Sequence, residues 1–358
     1  MNIKGNLKYI GTLSLIFLII YMFLAAIPMG PDLFFEPVWT QDISGPVPAV
    51  PSDFTKKGIE AFILGDKFGY FTPEGTILSS KSIENRVSAT PSAWTVYPPN
   101  TFNTPVFFPD GSPKMTVQGS GFVFLDDTRT YLFLPGGDGV SRISDTGTVV
   151  WKREHTAPIS AFNSSDAGTV IGYADGQLSC IANDGTEQFS FYPGGSDNQV
   201  ILGSAISRDG TLVACVSGID RQRFLLIRIT GKQYKIIYHA YLEGNLRRQA
   251  FVNFENSGSF AFFETAGGLG IIDCRTLKKK IIPFEGQIIS VGKNAGDALF
   301  VVLSKNGKKF TLSAIERPDH LVATSVFTAE NAFIIQRENA IYLGADNRIS
   351  RIDIRGLK

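Results

Sequence analysis

Beyond residue 52 the chain alternates short apolar runs with polar breaks. Runs of Val, Ile, Phe, Tyr and Leu are each interrupted by Gly, Asp or Asn, and the three-to-four-residue apolar spacing of an amphipathic helix is not found there. Such a pattern predicts strands joined by tight turns. Aligning the turns exposes a repeat: an apolar strand, a polar turn with Gly, then Thr or Lys leading into another apolar strand. Clear copies occupy residues 68–78 (FGYFTPEGTIL), 139–151 (GVSRISDTGTVVW), 176–189 (GQLSCIANDGTEQF) and 224–234 (FLLIRITGKQY). Weaker ones occupy 269–281 (LGIIDCRTLKKKI), 299–310 (LFVVLSKNGKKF) and 341–352 (IYLGADNRISRI).

Several units are preceded by a further hairpin, as at residues 159–173 before the copy at 176–189. Two hairpins per period of roughly 30–50 residues make a four-stranded antiparallel blade, which buries its faces only by stacking radially on others. The expected fold is therefore an all-β propeller of about seven blades, with six and eight as alternatives. A β-sandwich accounts for the strands but not for the period.

Residues 82–116 do not fit the repeat. They hold Pro91, Pro98, Pro99, Pro105, Pro109 and Pro113 together with Trp94, Tyr97, Phe102, Phe107 and Phe108. Long irregular connections are uncommon and often functional, and aromatic side chains dominate binding hot spots. Trp94, Tyr97, Phe102 and Phe108 are accordingly the candidate partner-binding residues. The alternative is an irregular blade whose rings fill the core.

The N-terminal pattern differs. Residues 9–27 (YIGTLSLIFLIIYMFLAAI) carry no charge, and at ~1.5 Å per helical residue they reach across a ~30 Å hydrocarbon core. Lys4 and Lys8 precede the run, whereas Asp32, Glu36 and Asp42 follow it and no Lys or Arg recurs until Lys56. The positive-inside rule then places residues 1–8 in the cytoplasm and the bulk of the chain in the periplasm or outside the cell. Residues 9–27 are expected to be an uncleaved single-pass anchor in the cytoplasmic membrane, with a cleaved signal as the alternative. Pro28, Pro31, Pro37, Pro46, Pro48 and Pro51 predict an extended stalk over 28–51. The propeller domain is expected over 52–358.

Charge and composition narrow the function classes. With 34 Lys+Arg against 33 Asp+Glu, a net charge of +1 and 44% hydrophobic residues, the chain is neither disordered nor suited to bulk nucleic-acid binding. Cys180, Cys215 and Cys274 sit in apolar runs and read as buried free thiols. His155, His239 and His320 are isolated, and no metal-ligand spacing, nucleophile elbow or phosphate loop occurs. No metal, cofactor or catalytic residue is assigned on this pattern.

Residues 143–151 (ISDTGTVVW) resemble the turn of quinoprotein-type (PQQ-repeat) propellers, in which Asp, Thr-Gly and a Trp a few residues later dock neighbouring blades. Residues 183–189 (NDGTEQF) are a second copy with Phe189 in the Trp place. The resemblance spans roughly residues 60–355 and extends to WD40-like bacterial propellers. It implies blade-docking roles for Trp151, Phe189, Gly147 and Gly185. The family includes quinone-dependent dehydrogenases and non-catalytic scaffolds such as the outer-membrane assembly lipoprotein propeller. An adjacent Cys pair over the quinone is expected of the dehydrogenases, and this chain has none, so the resemblance implies the non-catalytic branch without a cofactor.

The function expected from sequence is a membrane-anchored extracytoplasmic propeller that scaffolds protein–protein contacts in a cell-envelope assembly. The alternative is a ligand-binding sensor or enzyme that uses the central channel.

Overall fold

The computed structural model describes residues 12–21, 34–45, 54, 58–98, 101–231, 233–292, 299–316 and 320–356. Their 31 strands form eight antiparallel sheets. The first strand, β1 (Phe34–Asp42), is set apart from its sequence neighbours. The first sheet holds β2 (Glu60–Leu64), β3 (Lys67–Phe71) and β4 (Ile77–Ser82). The second holds β5 (Arg86–Thr90), β6 (Ala93–Tyr97), β7 (Asn103–Phe107) and β8 (Pro113–Gln118). The third is β9 (Phe122–Asp126), β10 (Arg129–Phe133), β11 (Gly139–Ile143) and β12 (Val149–Glu154). The fourth is β13 (Ile159–Ser165), β14 (Gly168–Tyr173), β15 (Leu178–Ala182) and β16 (Glu187–Phe191).

The fifth comprises β17 (Ile201–Ile206), β18 (Leu212–Ser217), β19 (Arg223–Thr230) and β20 (Gln233–Tyr241). The sixth comprises β21 (Val252–Phe254), β22 (Phe260–Thr265), β23 (Gly268–Asp273) and β24 (Lys279–Pro283). The seventh comprises β25 (Gln287–Val291), β26 (Leu299–Asn306), β27 (Lys309–Glu316) and β28 (His320–Thr328). The eighth is β29 (Ala332–Arg337), β30 (Ala340–Ala345) and β31 (Arg348–Arg355), completed on its outer side by β1.

First strands of successive blades lie against one another, as β13 does on β17 and β17 on β21. Fourth strands carry the exposed side chains, so each sheet runs from the axis outward to the rim. The apolar core is divided into layers between neighbouring blades. Phe224 of the fifth blade stacks on Phe263 of the sixth with ring centroids 3.9 Å apart. Phe262 of the sixth meets Phe300 of the seventh at 4.9 Å. A two-sided apolar strand such as β18 (LVACVS) is buried throughout because it has a blade on each side.

Eight blades, and not about seven, surround the axis. The blade beyond the expected seven is the second, built by the segment that broke the repeat: residues 86–118 form the four-stranded sheet β5 to β8. Its prolines hide the period: Pro91 sits in the turn between β5 and β6, Pro113 begins the outermost strand β8, and Pro105 lies within β7 opposite Thr116 of β8, on the strand whose ladder to β6 is interrupted. Where β6 meets β7 the ladder is reduced to Trp94 opposite Phe107.

The stalk and the domain start are also corrected. Residues 34–42 of the expected stalk are β1, paired with β31 from Phe34 opposite Arg355 to Asp42 opposite Arg348. Pro37 is accommodated because β1 is an edge strand with a register shift between Pro37 and Trp39. The propeller therefore begins before residue 52.

Residues 12–21 form a helix with its side chains exposed, and among the described residues no helix is long and apolar enough to cross a membrane. The remainder of the expected 9–27 span, and residues 1–8, lie outside the described residues.

Candidate functional site

Docking between blades repeats one geometry. The third-to-fourth-strand turn of one blade presses its glycine onto the outer strand of the blade before it. Gly147 holds φ +85°, and a Cβ there would lie 2.3 Å from the Thr116 carbonyl oxygen of β8. Gly185 holds φ +88°, and a Cβ there would lie 2.7 Å from Cβ of Trp151 on β12. Arg153 donates to the Gly185 carbonyl at 2.5 Å. Trp151 is buried beside Tyr131 between the third and fourth blades, with its indole nitrogen unpaired among the described residues. Phe189 is buried between the fourth and fifth blades, 4.8 Å from the Tyr234 ring.

Trp39 takes the corresponding docking place at the closure of the ring. Its ring lies over Gly75, its Nε1 donates to the Pro73 carbonyl at 3.0 Å, and it contacts Phe71 and Tyr342. The signal was present in residues 72–76 (TPEGT), whose turn bonds match those of residues 144–148. Trp39 precedes that turn across the closure of the ring.

The four candidate partner-binding residues are not brought together. Trp94 fills the junction of the first and second blades: it stacks on Phe107 at 4.6 Å, meets Phe68 at 5.3 Å, and donates to the Phe108 carbonyl at 2.9 Å. Lys81 sits 4.1 Å above its ring, and partial burial lowers that ammonium's pKa. Tyr97 stacks on Phe122 of the third blade at 5.9 Å. Phe102 and Phe108 are exposed, but they flank β7 at its opposite ends.

Two cavities open along the axis. One, of about 410 Å³, lies where first strands turn into second strands. Arg129 is nearly buried there, bonded to Asp166 at 2.7 Å and to Ser164 at 2.9 Å, with Asp126 at 3.4 Å. Arg208 reaches Asp166 at 3.2 Å. Arg337 grips Glu60 through two nitrogens at 2.6 and 2.9 Å. Burial raises the Glu60 pKa, although its bonds to Arg337 pull the other way. Apart from the Asp126–Arg129 contact within one hairpin, these charges are joined across blades, so no spacing in the sequence announces them.

The second cavity, of about 500 Å³, has an aromatic wall of Phe122, Phe124, Phe133, Phe162 and Phe251, with Ser160, Ser204 and Gln249 among them. Asn163 lines both cavities. Next to it, buried Glu264 receives two bonds from Arg248 at 2.7 and 2.8 Å, and its oxygens also accept the N–H groups of Phe251 and Ile288. That carboxylate ties the sixth blade to the seventh. Among the described residues no His, Cys, Asp and Glu side chains gather into a group that could hold a metal ion.

Comparison with known proteins agrees with this architecture. The family described as beta-propeller protein matches residues 1–358. An uncharacterized protein of Treponema pallidum (strain Nichols) is 40% identical over 364 residues, covering 100% of this chain and 97% of that protein. The crystal structure of BamB from Moraxella catarrhalis superposes with a TM-score of 0.61 at 10% identity, over 89% of this chain and 100% of that one. The computationally designed Ika8 protein gives 0.61 at 13% identity, over 83% and 93%. At these identities the two structures speak to fold alone.

Proposed function

The chain belongs to the beta-propeller protein family along residues 1–358, and from that premise we propose that it is a non-enzymatic scaffold for protein–protein contacts. The observation that carries this reading is the apolar rim. Exposed side chains recur on the outermost strands: Val149 and Val150 on β12, Tyr234 and Ile236 on β20, Ile281 on β24, Leu321 and Val326 on β28. Apolar surface repeated on the edges of successive sheets is what a partner covers. Phe102 and Phe108 extend it to the ends of the second blade.

The cell-envelope setting rests on the sequence. The uncharged run at 9–27 behind Lys4 and Lys8 supports a single-pass anchor with the propeller outside the cytoplasm. Protease added to intact spheroplasts should digest the propeller, and full protection would refute that orientation.

The scaffold reading is tested by replacing Phe102 and Phe108 with Ser. Thermal stability and partner recovery after crosslinking in cells are then measured together. Reduced recovery at unchanged melting temperature supports the reading; unchanged recovery removes these two rings from the interface. One observation favours a second reading, the aromatic-walled cavity on the axis. Its size and lining are those of a small-molecule pocket, and a ligand that saturates it at one per chain would favour a sensor.

A further inference from the structure

The outer edges of the blades are not alike. A free edge strand offers unpaired N–H and C=O groups to any other strand, and proteins blunt such edges with charge or proline. Here β4, β8, β12, β20 and β24 each carry a lysine, β16 begins with Glu187, and β1 has Glu36 beside Pro37. β28 is the exception. Its sequence, HLVATSVFT, has neither proline nor any Lys, Arg, Asp or Glu over nine residues.

One face of β28 is committed to the blade, where Phe327 stacks on Phe310 at 5.6 Å. Leu321 and Val326 are exposed at 46% and 54%. The register with β27 shifts between Leu321 and Ala323, then runs unbroken from Ala323 to Thr328. This stretch presents a straight, uncharged edge to the outside.

We propose that β28 is a self-association edge, pairing antiparallel with β28 of a second copy of this chain about a two-fold axis at Ser325. In that register Ser325 faces itself, Thr324 faces Val326, and Ala323 faces Phe327. Thr324 against Val326 pairs two β-branched side chains, Ala323 against Phe327 sets small against large, and none of the pairs opposes like charges. A two-fold contact of this kind is self-complementary and closed. The same operation on β12 or β20 would bring lysines of both copies to one edge. Edge pairing alone covers far less than the ~1,200–2,000 Å² of a stable complex, so the contact is weak unless both copies share a membrane. The inference rests on the rim being an interaction surface.

The test uses the full chain in isolated membranes. Cβ atoms of directly opposed residues lie ~4.5–5.5 Å apart, close enough for a disulfide after small adjustment. Ser325→Cys should give a covalent dimer under mild oxidation, whereas Val150→Cys on β12 at equal expression should not. The three native cysteines are buried and do not compete. Adding Val326→Lys to Ser325→Cys should lower dimer yield by roughly tenfold or more, equivalent to about 1.4 kcal/mol. Equal yields from Ser325→Cys and Val150→Cys, or a yield insensitive to Val326→Lys, would overturn the pairing. If Ser325→Cys alone gives no dimer while its partner recovery stays intact, this inference fails and the scaffold reading stands.

Discussion

The indole N–H of Trp39 donates to the carbonyl of Pro73 across the closure of the ring, at 3.0 Å. Arg351 donates to the same carbonyl at 3.2 Å, and Lys67 and Ser80 reach the Ile43 carbonyl at 2.8 and 3.1 Å. The last blade is thus held to the first by a strand drawn from the N-terminal part of the chain. A strand from residues 34–42 paired onto β31 in the last blade leaves that ring no open seam.

Removing this strand should open the ring. A chain starting at residue 34 is expected to melt in one cooperative transition, and one starting at residue 52 to lose that transition. Trp39→Ala should cost about 3 kcal/mol, the low end for a large aromatic because the ring is only part-buried. Chemical denaturation measures it, and an unchanged midpoint would contradict the closure.

Trp151 is more deeply set, at 8% exposure between the third and fourth blades. Trp151→Ala is expected to destabilise by about 3–5 kcal/mol. Gly185→Ala should be costly as well, because a methyl group there meets the Trp151 side chain in a backbone region that disfavours it. An unaltered melting temperature in either variant would show that this contact does not hold the blades.

Acid should loosen the turns. The hydroxyl of Ser196 and the N–H of Asn198 hold Asp220 well below the usual carboxylate range. Ser112 does the same for Asp110 and Thr186 for Asp184. Each group is depressed in the folded chain, so its stabilisation is complete above the unfolded carboxylate value of ~4 and is lost as pH falls through the lower folded values. The melting temperature should fall between pH ~4 and pH ~2, and Asp220→Asn should flatten part of that fall. A melting temperature constant down to pH ~2 would contradict it.

Burial pushes the thiols of Cys180, Cys215 and Cys274 up to about 12. A thiol-specific reagent should therefore label none of them at neutral pH in the native chain and all three after denaturation. Native labelling would place at least one outside the layers between blades.

The strand content and turn glycines were legible because they are local: an apolar run with Gly at the turn is visible within about ten residues. The blade count was not. Seven aligned copies are one per blade for every blade except β5 to β8, where prolines and a near-absent β6–β7 ladder mask the pattern. The copies at 299–310 and 341–352 also caught the second and third strands of their blades, not the third and fourth. β1 was hidden because its partner β31 lies at the other end of the chain. Of the axis, nothing could be read, since Arg129 and Asp166 meet only when neighbouring blades stack, and Arg337 and Glu60 only once the ring is closed.

Rim and axis are separated most directly by site-specific photocrosslinking in cells. A photoreactive residue is placed in turn at Val150, Ile236 and Val326 on the rim and at Phe162 on the axis. Discrete adducts with a protein from the rim positions, and none from Phe162, are the expected result. Adducts confined to Phe162, with a silent rim, would contradict the scaffold account and leave the channel as the working surface.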